Sequence, residues 1–202
     1  MTTAAAADSA PSLRALLKGN SSRETIRAYL EGLAPEARVA AALDLSGSLV
    51  GKLYDVCAGG RTLALEDFVP ARLGEDHPVI FEGRNSLPLF TRFQKRFARM
   101  GSEIVGYNHQ TMSPITGPGF FVVAEAHAGS DVPSELYFDY TKTPGAFPSG
   151  WPKFKPNDSG LSNLVYKDMK DYMREVATGV VVGAAYKLGK AQSAYFLLAR
   201  AS

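Results

Sequence analysis

Apolar residues along this chain recur first at helical and then at alternating spacing, and the period changes near Asp67. Ser21 and Glu24 have the form of a capping box, in which each satisfies a free backbone N–H at a helix start. Ile26, Tyr29, Leu30 and Leu33 follow at i, i+3, i+4 and i+7, which predicts a helix with one buried stripe. Pro35 suits the first turn of a second helix, along which Val39, Leu43, Ser46, Val50, Leu53 and Cys57 continue at spacings of four and three. Gly47 and Gly51 fall inside that second pattern and cost it about 1 kcal/mol each relative to Ala, so close packing or a break is expected there. Gly59 and Gly60 close the segment. The expectation is a helical hairpin over residues 22–66, preceded by a flexible tail over residues 1–21.

Beyond Asp67 the reading is of a β domain, residues 67–202. Residues 79–81 suggest a short strand, and Ser86, Leu87 and Pro88 offer a helix start with Phe90, Phe93, Phe97 and Met100 on one stripe. Residues 103–110 and 120–126 predict two strands around a long loop, and residues 135–141 a third, with Leu136, Phe138 and Tyr140 on one face. Pro144, Pro148, Pro152 and Pro156 make the stretch around Trp151 an irregular covering connection. Residues 164–166 then read as a short strand and 169–175 as one or two helical turns. Residues 180–186 and 191–199 form a hairpin whose turn uses Gly189. The fold class expected is α+β: an N-terminal helical hairpin followed by a curved or closed antiparallel sheet.

The 202 residues, 46% hydrophobic and 21% charged, are enough for a sizeable core and exclude disordered, collagenous and disulfide-rich classes. The single cysteine fits a reducing cytoplasm, and no window has the apolar length of a membrane span. A net charge of +2 is too small to argue for a nucleic-acid partner. Arg84, Arg92, Lys95, Arg96 and Arg99 crowd a segment without any acid, residues 84–100, which suggests either a helix laid over a sheet or a surface for a membrane or acidic partner.

The runs LVYKDMKDYMREV, VVVGAAYKLGK and AYFLLAR together resemble the closing segment of lipocalin-like or calycin-like β-barrels of uncharacterised bacterial proteins. In those barrels a short helical crossover precedes a final hairpin. The resemblance implies a barrel with an apolar cavity and often a hydrophobic ligand. The chain lacks a Gly-X-Trp motif at its first strand and adds helices ahead of it.

The chemical inventory is short. His77, His109 and His127 have no metal-ligand spacing, and neither a nucleophile elbow, a Walker loop nor a dinucleotide fingerprint is present, so no metal or cofactor is expected. Tyr107, Tyr140, Tyr166 and Tyr195 on strands, His109 near a strand end, Trp151 in the covering loop, and Asp171 with Arg174 on the crossover helix are the candidate ligand-binding set. Three functions follow. One is non-enzymatic binding of a small apolar or amphipathic molecule. The second is an enzyme in the same cavity with His109, Tyr107 or Asp171 as acid or base. The third is an interaction module acting through residues 84–100.

Overall fold

The computed structural model describes residues 11–75, 77–88, 91–109 and 117–201. Their core is a closed eight-stranded antiparallel barrel in which each strand pairs with the next and the last returns to the first. Its strands are β1 (Val79–Asn85), β2 (Arg92–Met100), β3 (Glu103–His109), β4 (Phe120–Ala124), β5 (Tyr137–Asp139), β6 (Met169–Ala177), β7 (Val180–Lys187) and β8 (Lys190–Arg200). Among the described residues there are also five α-helices: α1 (Leu13–Lys18), α2 (Arg23–Glu31), α3 (Pro35–Leu43), α4 (Ser48–Val56) and α5 (Ser162–Tyr166).

The first four helices lie on the outside of the barrel as separate short pieces, not as a simple hairpin. Part of the expected tail is already structured: Ser12 caps α1 through the Ala15 N–H, and Leu13 and Leu17 are buried. Ser22, one residue beyond the expected cap, accepts from the Thr25 N–H to start α2. The long second helix breaks at Gly47, whose φ of +58° only glycine adopts without strain. Gly51, by contrast, stays helical and lets the ring of Tyr195 lie against α4, where a Cβ would come 3.0 Å from it. Ile26, Leu30, Val50 and Leu53 pack on Val180, Val182, Leu197 and Ala199. This cover explains why β7 reads as a continuous apolar run: helices bury its outer face and the barrel core its inner one.

Three elements differ from expectation. Residues 92–100 are strand, not helix, because Phe93, Lys95 and Phe97 alternate inward against β1 and β3 while their neighbours point out. The spacing of Phe93, Phe97 and Met100 imitated a helical stripe, and Phe90 and residues 110–116 lie outside the described residues. Residues 169–177 are likewise strand where helical turns were expected, with Asp171 and Met173 inward and Lys170 and Arg174 outward. Residues 164–166, expected as a short strand, exchange roles with them and fall in α5. The final hairpin forms as anticipated, with Leu188 and Gly189 both at positive φ in its two-residue turn.

Inside the barrel, glycines on three strands each face a phenylalanine on the paired strand: Gly83 with Phe93, Gly106 with Phe121, Gly183 with Phe196. In each case the far edge of the ring fills the space of the missing side chain, so a Cβ on Gly106 would overlap Phe121. Gly106→Ala is therefore expected to force that ring aside and lower stability by about 1–3 kcal/mol, read from the midpoint of denaturant unfolding.

Candidate functional site

Eight strands enclose a space that side chains can just fill or that can hold one small ligand. Here the end where β1 begins is filled. Phe68, entering from the segment after a short 3-10 turn, has its ring 5.1–5.8 Å from those of Phe81, Phe97 and Phe138. Phe121 stacks on Phe138 at 4.9 Å and completes the plug. The opposite end is not filled. A cavity of about 180 Å³ opens there between Phe93, Phe196, Met169 and Tyr166, with the exposed side chains of Leu87 and Val165 at its mouth. β7 and β8 shift register beside it, between Ala184 and Tyr186, and Ala185 and Ala194 form part of its wall.

At the base of this cavity sits a buried polar cluster that strand alternation assembles from four parts of the sheet. Lys95 on β2 is 2% exposed and donates from Nζ to Asn108 Oδ1 at 2.8 Å, Tyr140 OH at 2.5 Å and Asp171 Oδ2 at 3.1 Å. Tyr140 in turn donates to Asp171 Oδ2 at 3.0 Å, and Asn108 Nδ2 reaches the Gly119 carbonyl at 3.2 Å. The three ammonium donors therefore each have an acceptor, the condition under which a buried charge is tolerated. Aromatic faces complete the enclosure: Nζ lies 4.9 Å from the ring centres of Phe121 and Phe196 and 5.2 Å from that of Phe138.

Burial works against both charges. It pulls the Lys95 ammonium below its usual range, opposed by the Asp171 carboxylate beside it. It pushes the Asp171 carboxyl up, opposed chiefly by Lys95. The Tyr140 hydroxyl is raised by burial and then by the Asp171 charge, so it remains a proton donor. The two shifts converge, which narrows the gap between an ion pair and a neutral amine beside a neutral acid.

The candidate residues read from the sequence divide between this cavity and the outer wall. Tyr140, Tyr166 and Asp171 line the cavity, with Tyr140 and Tyr166 stacked at 5.4 Å. Tyr195 borders it, yet its ring also packs outward, 5.6 Å from Tyr54 of α4. Tyr107 and Trp151 meet on the outside of the barrel at 4.7 Å, where Phe147 and Phe154 of the Pro-rich connection also pack on Phe120. That connection covers a wall of the barrel, not its mouth. His109 lies on the same outer side, and burial together with the Arg96 charge lowers its pKa.

Arg174 points away from the interior. It donates from Nε to Glu135 Oε1 and from Nη1 to the Tyr54 carbonyl, both at 2.7 Å, and its guanidinium lies 3.6 Å above the Tyr54 ring, tying α4 to the barrel. The basic segment is divided in the same manner. Arg96 donates to Gln94 Oε1 at 2.9 Å and Arg99 to the Val69 carbonyl at 3.0 Å, while Lys95 is interior, so no single basic helix face exists.

Lys95 and Asn108, the core of the cluster, were not among the ligand-binding candidates, and Lys95 was read only as part of the basic segment 84–100. The signal was present in β2, where Arg92, Gln94 and Arg96 alternate with Phe93, Lys95 and Phe97. A cation in register with two inward phenylalanines is the mark of a buried lysine.

Among the described residues no three or more His, Cys, Asp or Glu side chains gather as a metal site, and no helix is long and apolar enough to cross a membrane. Cys57 is buried, with its thiol pushed up to about 12 by burial, so it is not a nucleophile at neutral pH. Compared with protein families, curated proteins and solved structures, the chain gives no match.

Proposed function

We propose that the barrel binds a small neutral molecule with an apolar body about the size of one aromatic ring and one carbonyl or hydroxyl head. In this reading it is a lipocalin-like binding barrel with a shortened cavity. The observation that carries it is the Lys95–Tyr140–Asn108–Asp171 cluster at the base of an otherwise apolar opening. An apolar pocket with a few convergent polar groups is the usual form of a small-molecule site.

Size and charge narrow the ligand. A cavity of about 180 Å³ is close to the roughly 150 Å³ that accepts benzene in a dry protein core, so a fatty acid or retinoid is too large. Asp171 already neutralises Lys95, so a carboxylate ligand would have to displace it or be buried unpaired. A carbonyl or hydroxyl oxygen needs only a hydrogen bond.

Calorimetric titration with benzyl alcohol, benzoate and dodecanoate tests this. Benzyl alcohol is expected to bind and, at ten times its Kd, to add about 1.4 kcal/mol of stability. For a chain of this size that is a rise in melting temperature of roughly 3–5 °C. Benzoate and dodecanoate are expected to bind at least about tenfold more weakly. A flat benzyl alcohol titration, or a preference for dodecanoate, overturns the reading.

A further inference from the structure

We propose that Lys95 forms an imine with a small aldehyde or ketone: its Nζ stands at the base of the cavity, with Tyr140 OH at 2.5 Å and Asp171 Oδ2 at 3.1 Å to handle the protons. The chemistry presupposes that the cavity holds a small neutral ligand, and it gives that ligand a functional group. A carbonyl compound is the ligand class that both fits the neutral pair and has a carbon on which an amine can act.

The reaction uses only groups already in the cluster. With the shared proton on Asp171, the Lys95 lone pair attacks the carbonyl carbon, a C–N bond forms, and the C=O π pair moves to oxygen. Tyr140 protonates that oxygen and is reprotonated by the proton that leaves nitrogen, which gives a carbinolamine. Its hydroxyl then takes the Asp171 proton, the C–O bond breaks as nitrogen forms C=N, and one water departs. The product is an iminium with the Asp171 carboxylate as its counter-ion. The three hydrogens held at the start by the amine and the acid end as two in water and one on nitrogen, and nothing is oxidised or reduced.

Each part of the surroundings favours a step. Burial disfavours the ammonium and the carboxylate alike, which lowers the cost of moving the proton from Lys95 to Asp171 and so of freeing the lone pair. The faces of Phe121, Phe138 and Phe196 that surround the ammonium suit an iminium cation in the same place. The hydrogen bond between Tyr140 and Asp171 gives the proton a path between oxygen donors.

The full-length protein is incubated at neutral pH with benzaldehyde and cyanoborohydride, which reduces an imine to a stable benzylamine, and the adduct is located by peptide mapping. Lys95 is expected to be labelled first, with surface lysines following at roughly ten times the aldehyde dose. Lys95→Met is expected to lose this first adduct, and mapping on the unaltered protein keeps the result interpretable if that variant folds poorly. Adducts confined to surface lysines, in a protein that still binds benzyl alcohol, overturn the imine and leave the binding reading standing. Adducts confined to surface lysines together with a flat benzyl alcohol titration overturn both.

Discussion

Lys95→Met is expected to lower the stability of the fold by about 3–5 kcal/mol, because it strips a buried carboxylate of its cation while leaving the cavity shape almost unchanged. Asp171 is 4% exposed and, among the described residues, receives side-chain hydrogen bonds from Lys95 and Tyr140, so the variant removes its charged donor and leaves the neutral one. Its way out is to take a proton, for which burial has already prepared it. The loss should therefore be smaller at pH 5 than at pH 8, since protonation at the lower pH removes the uncompensated charge. Adding Asp171→Leu is expected to restore most of the stability, as replacing both members of a buried pair by apolar groups is often neutral. Denaturant unfolding of the four members of this double-mutant cycle measures the coupling. A loss under about 1 kcal/mol for Lys95→Met alone at pH 8 would show that the pair is solvated in solution.

The pair also marks where sequence reasoning stops. The final hairpin was legible because Val180, Val182, Gly189 and Leu197 each obey a local rule of strand or turn. The helical segment was legible in the buried stripe of Ile26 and Leu30 but not in its division, since the spacing from Val39 to Cys57 runs through Gly47 as one helix where the structure has two. Residues 92–100 were not, since Phe93 and Phe97 sit four apart and satisfy both periods, and only the neighbouring strands decide between them. The same ambiguity hid the strand in residues 169–177, where Asp171 and Arg174 have the spacing of a helical ion pair yet stand on opposite faces of the barrel wall.

Closure of the barrel, and with it the meeting of Lys95 and Asp171, is a long-range property. Lys95 lies opposite Asn108 on β3, but Asp171 reaches it across the interior from β6. No local pattern encodes that contact. What the chain does encode locally is which side chains point inward, and the tyrosines illustrate the limit of this. Tyr140 and Tyr107 both follow alternation, one into the core and one beneath Trp151, and only the side chosen by their neighbours separates a cavity residue from a wall residue.

Phe68→Ala is expected to cost about 3–5 kcal/mol, comparable with the loss of Lys95 but at the opposite end of the barrel. Phe68 is fully buried and belongs to no strand, and its ring supplies the contacts that close the interior beneath Phe81, Phe97 and Phe138. Its backbone is held in place from both sides, since Arg200 donates to the Asp67 carbonyl and Arg99 to that of Val69. The segment is therefore expected to keep its course in the variant and leave a void instead of collapsing, which is the condition for the larger costs of truncation. Such a void is apolar and dry, so benzene should raise the melting temperature of Phe68→Ala by several degrees more than that of the unaltered protein. A loss below about 2 kcal/mol with no additional benzene effect would mean that the plug relaxes into the space. Phe138 stands 5.1 Å from Phe68 and 5.2 Å from Lys95 Nζ, so the two ends share a wall. Combining Phe68→Ala with Lys95→Met should for that reason depart from additivity, by about 0.5 kcal/mol or more, whereas Phe68→Ala with Gly51→Ala, on the outer face beneath Tyr195, should add.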